Sequence, residues 1–471
     1  MKTLNRYIFS FLTATAVLGF QGCEKALELD PLGGIEKEEV FNSEANIKSL
    51  LNSVYTVIGS DKWSNGRIPQ FNDLLGDEFF GAQLGSTKGE IYNRNTSVFN
   101  DDIKGLHKEP YYAIQRSNQV LDNIGIVSAG FKDNAEGQAK FARALGHFDL
   151  VKLFAQPYNT NTDNAHAGII LQLTVSVESA VARATVKQVY DQIILDLKDA
   201  EAKLPSQNGI YPTKWAAKAL LARVYFQMNK FTEAYTYAND VLTNGLNVRG
   251  QSYAQIGYTN LAYADRFSVA GSKESIFEVV NEAGLSGRSN SYRDLYKSEG
   301  SNPEMKLMNS IYTANATDVN DKRGAAWYAA GTSADWKMLK KFDVQNFTTT
   351  LIHFTEMKLI RAESAAETGL NLPVGIADLN DIKSRAFGAA AVLLPANASA
   401  SLLKDQVRVQ REKEMIGEGD RAQQIKRIGA KGETSFSRGV VWNCNGMILQ
   451  FPGTEFNLNP LFVKNPEGGC N

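Results

Sequence analysis

Along most of this chain apolar and small residues recur at three- and four-residue spacing, the period of a helix with one buried face. In 136–155, EGQAKFARALGHFDLVKLFA, the residues Phe141, Leu145, Phe148 and Val151 fall on one stripe, with His147 at its edge as a satisfied polar core group rather than a ligand. In 185–204, TVKQVYDQIILDLKDAEAKL, Val189, Ile193, Leu197 and Ala200 share a face, and Leu204-Pro205 ends the helix because proline cannot continue it. Residues 211–242 predict two helices joined by a turn at Asn229-Lys230. A further pair is predicted at 353–387, broken by Gly369 and Pro373, and an earlier pair at 44–58 and 106–127, split by a long insertion.

Within 211–242, Leu221, Ala222 and Tyr225 on the first helix and Phe231 and Ala234 on the second have the spacing of small and aromatic positions in a tetratricopeptide repeat. Small residues let paired helices approach, and aromatic ones fill the groove between them. The expectation is a mostly α chain with four helix pairs at about 44–127, 136–204, 211–242 and 353–387. The intervening 60–105 and 245–350 are rich in Gly, Ser, Asn and aromatics without sustained period, which predicts irregular insertions with a few short strands. Loops carried on a rigid scaffold are where binding usually resides.

The first 22 residues differ from the rest. Lys2 and Arg6 precede an apolar stretch from Tyr7 to Phe20, the layout of an export signal, 1–22. That stretch is shorter than the ~20 apolar residues needed to cross a bilayer. Gly22-Cys23 resembles a bacterial lipobox, although Phe20 and Gln21 depart from its commoner residues. Cys23 is therefore the candidate lipidation site, with plain secretion as the alternative. Each buried acyl methylene would contribute about 0.8 kcal/mol to anchoring.

Charge excludes one class of partner: 50 basic against 51 acidic residues leave no field for nucleic acid or another polyanion. With Cys23 taken by lipid, Cys444 and Cys470 remain. An even pair in an exported protein reads as a disulfide, worth roughly 3 kcal/mol on the chain-entropy model; two free buried thiols are the alternative.

Catalytic motifs are absent from the sequence. His107, His147, His166 and His353 are scattered, with no zinc-binding pair, and there is no phosphate loop, GxGxxG or GxSxG. No metal or cofactor is expected. Glu363 and Glu367, one helical turn apart, sit with Lys358 and Arg361 and read as ion pairs or a solvated face. The 318–324 stretch DVNDKRG has oxygen ligands at loop spacing but lacks the Gly and final Glu of an EF-hand, so a simple turn is expected over a calcium site. A glycosidase needs only two nearby carboxylates, which sequence leaves open.

Tryptophans discriminate better. Trp215 and Trp442 read as core and Trp336 as a strand residue, whereas Trp63 and Trp327 stand among small and polar residues in the insertions. An indole face suits the apolar face of a sugar ring, with neighbouring polar groups bonding its hydroxyls. Trp63, Trp327 and Tyr292 are thus candidate stacking residues, and Asn72 and Asp77 candidate polar contacts. The competing expectation is that each tryptophan pins its loop to the body, and that Asp77 caps a helix.

Several stretches together resemble the SusD/RagB family of outer-membrane nutrient-binding lipoproteins. They are CEKALELDP at 23–31, AKFARALGHFDLVKLFAQPY, VYDQIILDLKDAEAKLP, AAKALLARVYF, SKESIFEV, and near the end REKEMIGEGDRAQQIKRIG and ILQFPGTEFNLNPLFVKNPEG. Gln424, Ala422, Phe451 and Lys464 depart from the family's usual residues. The resemblance implies one SusD-like domain over 23–471, an α-solenoid of four repeat pairs, closed by a C-terminal segment at 402–471. It implies a lipid-anchored, surface-exposed outer-membrane protein that binds an oligosaccharide and passes it to a TonB-dependent SusC-like transporter, without catalysis. Glu414, Glu418, Arg421 and Arg427 would form a buried ion-pair network tying the C-terminal helix to the core. A peptide-binding member of the same scaffold is the second expectation, and an exported glycan hydrolase the third.

Overall fold

A computed structural model describes residues 41–81, 83–175, 180–281 and 288–470. The leader and the Cys23 lipidation expectation lie outside these residues.

Capping side chains set where the predicted stripes become helices. Ser43 caps α1 (Glu44–Ile58) by accepting from the Asn46 amide. After α2 (Arg67–Leu75), β1 (Phe79–Phe80) and α3 (Ser86–Tyr92), Asn100 caps α4 (Asp101–Asp122). That start precedes the expected 106 because the Asn100 side chain accepts from the Ile103 amide and Asp101 and Asp102 lie at the positive end of the helix dipole. α5 (Ala129–Phe154) follows, and then α6 (Val186–Lys203), where Thr185 and Gln188 form a reciprocal capping box. Thr213 caps α7 (Lys214–Gln227), and the turn at Asn229, φ 58°, leads into α8 (Phe231–Asn244).

The second insertion holds β2 (Ser275–Val279), α9 (Arg288–Tyr296), β3 (Lys306–Met308), α10 (Asn309–Ala316), α11 (Lys322–Trp327), β4 (Tyr328–Ala329), β5 (Trp336–Leu339) and β6 (Thr349–His353). β1, β3, β5 and β4 lie side by side in an antiparallel sheet, and β2 pairs with β6. α12 (Phe354–Thr368), capped by His353, is followed by α13 (Leu372–Phe387), α14 (Ala400–Met415) and α15 (Arg421–Ala430). A short hairpin, β7 (Phe436–Ser437) and β8 (Val440–Val441), and α16 (Gly453–Leu458) complete the chain, and Cys444 is disulfide-bonded to Cys470.

Helices pack in succession: α1 on α4, then α5, α6, α7, α8 and α12, which carries α13 and α14. Each repeat contacts its neighbours, which is solenoid architecture. The pairs are α1 with α4, α5 with α6, α7 with α8, and α12 with α13, so the fold is the mostly α repeat scaffold expected. At the α4–α5 crossing Gly146 lets the backbones approach, since a Cβ there would lie 3.0 Å from Ile114 and 3.3 Å from the Pro110 carbonyl.

Two expectations change. The 60–105 insertion is partly core, because Phe71, Leu74 and Leu75 of α2 are buried at helical spacing. His147 is fully buried with neither ring nitrogen hydrogen-bonded, so it is an unsatisfied core residue rather than a satisfied one. Trp336 lies on β5, Trp215 is buried, and Trp442 is half-buried with its indole laid over Gly429.

Candidate functional site

The 411–429 segment supplies the end of α14, the turn after it and most of α15, and several of its charged side chains, Arg411, Glu414, Lys426 and Arg427 among them, turn inward. Glu414, fully buried, accepts from Arg266 Nη2 at 2.8 Å, Arg323 Nη1 at 3.0 Å and the Tyr263 hydroxyl at 3.0 Å. Burial pushes the Glu414 carboxyl up, but the guanidinium groups of Arg266, Arg323 and Arg385 outweigh it and hold it low. Glu418 accepts from Lys341 Nζ at 2.6 Å and lies 3.3 Å from both His353 Nε2 and Arg266 Nη1. Burial again opposes ionisation there, and Lys341 and His353 hold the carboxyl well below the usual range. Burial in turn pulls the Lys341 ammonium down to about 8.

Asp420 takes Arg411 in a two-pronged contact at 2.8 and 2.7 Å, and Gln424 joins Asp420, 3.0 Å away, to Arg427, 2.9 Å away. Gln424, one of the departures from the family pattern, thus keeps the link as a neutral bridge. Arg427 reaches Glu363 at 2.7 Å, while Arg421 bonds Asp77 at 2.6 and 3.0 Å. Such a network is costly to leave half-paired.

The proposed ligand residues are not exposed on loops. Trp63 is 0% and Trp327 1% exposed, which corrects the expectation of stacking platforms. The cause is that each indole N–H finds an internal acceptor: Trp63 Nε1 donates to Asp149 Oδ2 at 2.8 Å, and Trp327 Nε1 to the Tyr263 carbonyl at 3.1 Å. The face of Trp327 is covered by Lys341 Nζ, 4.0 Å from the ring centre. Tyr292 is buried too, stacked on Phe342 at 4.6 Å with its hydroxyl donating to the Gly417 carbonyl at 2.6 Å. Asn72 donates to the Ile68 carbonyl at 2.8 Å and accepts from Gln423 at 2.6 Å, and half-buried Asp77 is bound by Arg421 instead of capping a helix. In DVNDKRG, Asp318 closes a turn on the Asn320 amide at 2.9 Å, and Arg323 occupies Asp321. Among the described residues no group of three His, Cys, Asp or Glu side chains is placed to hold a metal ion.

Trp63, Asn72 and Tyr292 nevertheless converge, on a narrow cavity of about 120 Å³ shared with Asp149, Arg223 and Arg411. Arg411 Nη1 has no partner there. Gly419 closes the cavity with φ +72°, where an added Cβ would stand 2.7 Å from the Pro69 Cα. Ligand sites run to ~300–1,000 Å³, so this space suits ordered water, not a sugar chain. Beside it Asp73, accepting from the Tyr296 hydroxyl at 2.7 Å and the Gly419 amide at 3.1 Å, is pushed up to about 8 by burial.

Among the described residues, two open grooves fall near the middle of that range. One, about 580 Å³, lies between α4, residues 170–174 and α16, with Lys104, His107, Tyr111, Leu173, Val181 and Glu455 on its walls. The other, about 490 Å³, lies where α1, the Ile210-Tyr211 approach to α7 and the end of β2 meet, and Asn52, Tyr55 and Arg288 line it. Sequence patterns missed both, since their walls are assembled from distant segments.

Comparison with known proteins agrees with this architecture. A family model described as "Starch-binding associating with outer membrane" matches residues 29–226, and the model of the SusD family matches 290–462. SusD-like protein P2 of Formosa agariphila is 23% identical over 526 residues, covering 99% of this chain and 100% of that protein. A solved candidate sugar-binding protein from Bacteroides vulgatus superposes with TM-score 0.76 at 25% identity over 90% of this chain and 98% of its own. A SusD superfamily protein from the same species gives TM-score 0.78 at 22% identity over 90% and 99%.

Proposed function

Because this chain belongs to the SusD/RagB family, we propose that it is a cell-surface lipoprotein that captures an oligosaccharide and delivers it to a TonB-dependent SusC-like transporter in the outer membrane. The observation that carries this is the match of family models to both halves of the chain, on a solenoid whose C-terminal segment is tied in by Glu414 on Arg266 and Arg427 on Glu363. Supporting it are the export-signal layout before Cys23, which makes that cysteine the proposed lipid anchor, and relatives named for starch or sugar binding. Acylation there would tether the body without a spanning helix; among the described residues no helix is long and apolar enough to cross a membrane.

Binding rather than hydrolysis is the role proposed. Glu363 and Glu367, the acidic pair read from sequence as ion pairs or a solvated face, are engaged by Arg408, Arg427 and Lys431, so neither is open to protonate a leaving group or activate water. Peptide binding on the same scaffold is the second reading. Pull-down of the purified protein with insoluble polysaccharides, beside immobilised protein digests, tests the proposal. Retention by a polysaccharide supports it, and retention by digests alone overturns it. Palmitate labelling of the wild type but not of Cys23→Ala in the outer-membrane fraction tests the anchor.

A further inference from the structure

Deepening the glycan-binding reading and resting on it, we propose that the groove between α1 and the Tyr211 approach is the oligosaccharide platform, with Tyr55 and Tyr211 as the rings against which sugar packs. The two rings are 5.4 Å apart at 53°, and both are half-buried, forming a bent aromatic wall at the groove. Both phenols are tied down: Tyr55 donates inward to buried Gln138 Oε1 at 3.0 Å, and Tyr211 donates to exposed Asn52 Oδ1 at 2.6 Å. The rings are thereby fixed before a ligand arrives, which lowers the ordering cost of binding.

Polar groups stand at the right places around this wall. Asn52 uses its amide oxygen on Tyr211, and its N–H groups have no partner among the described residues, which leaves them for a hydroxyl. Arg288 donates from Nη1 to the Thr56 carbonyl, and its Nε and Nη2 have no partner among the described residues. A planar ring face beside amide and guanidinium donors fits a pyranose, which presents an apolar C–H face and a hydroxyl rim. Beneath the wall lies rigid scaffold: Tyr55 is on α1, its partner Gln138 is on α5, and Phe277 of β2 packs edge-on to Phe141.

The larger groove is chemically different. Leu173, Val181, Ile170 and Leu171 give it branched aliphatic walls without an open pair of rings. At its base His107 is wedged among Tyr111, Phe154 and Phe451, and burial takes its pKa down to about 3, so it is neutral. Tyr111 is half-buried on that wall with its hydroxyl donating to the Ile170 carbonyl at 2.9 Å, but its ring neighbour His107 is buried, so no second open ring stands beside it as Tyr211 stands beside Tyr55.

The test is affinity gel electrophoresis of the full chain in four neutral polysaccharides, soluble starch, xylan, galactomannan and laminarin, with Tyr211→Ala, Tyr55→Leu and Arg288→Gln compared with wild type and with Leu173→Ala in the other groove. Near-ultraviolet circular dichroism of each variant reports whether its packing is intact. The expected result is that whichever polysaccharide retards the wild type binds Tyr211→Ala and Tyr55→Leu about tenfold more weakly or worse, Arg288→Gln several-fold more weakly, and Leu173→Ala unchanged. Undiminished retardation of folded Tyr211→Ala and Arg288→Gln, or loss confined to Leu173→Ala, would overturn the assignment while leaving glycan binding standing. Failure of the wild type to be retarded by any of the four would overturn the proposed function and the assignment with it.

Discussion

Arg427 and Glu363 meet at 2.7 Å with neither side chain exposed to solvent, fastening α15 to α12. Arg408 reaches the same Glu363 oxygen at 2.9 Å, and the Arg427 guanidinium lies 4.0 Å over the ring of Phe226 on α7. Burial works against the Glu363 charge, and the two arginines more than offset it, keeping the carboxyl below its ordinary value. Helices α12, α14 and α15 are therefore held through one carboxylate.

Removing that carboxylate leaves Arg427 buried without its counter-charge. Glu363→Ala is expected to lose about 3–5 kcal/mol of stability. Chemical denaturation checks this, and a loss under about 1 kcal/mol would show that the ion pair does not fasten the helices.

Gly419, at φ +72° and against the Pro69 backbone, is expected to be intolerant of a side chain. Gly419→Ala combines backbone strain with a contact no Cβ can make, so a loss of roughly 2–4 kcal/mol is predicted. A thermal melt within a degree of wild type would contradict it.

Acid should weaken the fold through its buried histidines. Burial takes both His107 and His147 down to about 3, with Arg143 adding to the effect on His147. Below the unfolded value of about 6.5 the unfolded chain binds protons that the native chain refuses, so stability falls as pH drops from about 6.5 toward 3. Each histidine adds a slope of about 1.4 kcal/mol per pH unit within that window. His147→Leu is expected to flatten the dependence by about one such slope in denaturation curves between pH 4 and 7. An unchanged slope would show that His147 does not contribute.

The Cys444–Cys470 disulfide closes a separation of 26 residues. Reduction is expected to cost about 3 kcal/mol if the chain-entropy account holds, seen as a lower melting point in reductant. A Cys444→Ser, Cys470→Ser variant with wild-type stability would exclude that contribution.

The scaffold was legible because Phe141, Leu145, Phe148 and Val151, like Val189, Ile193 and Leu197, lie on single helical faces, and periodicity is local information. α2 was not, since its buried Phe71, Leu74 and Leu75 occupy one short run inside a stretch rich in turn residues. The tryptophan sites failed for another reason: whether Trp63 is exposed depends on Asp149 of α5, and Trp327 on the Tyr263 carbonyl, partners that no local pattern reveals. Tyr55 likewise reads as an ordinary helix residue until Tyr211 is brought beside it.

Isothermal titration of the full chain with oligosaccharides from a retained polysaccharide, run beside peptides from a protein digest and followed for released reducing ends, tests the central claim most directly. Saturable heat with the oligosaccharide, none with the peptides and no product on prolonged incubation is the predicted result. Saturable binding of peptides alone, or steady release of product from the glycan, would contradict it.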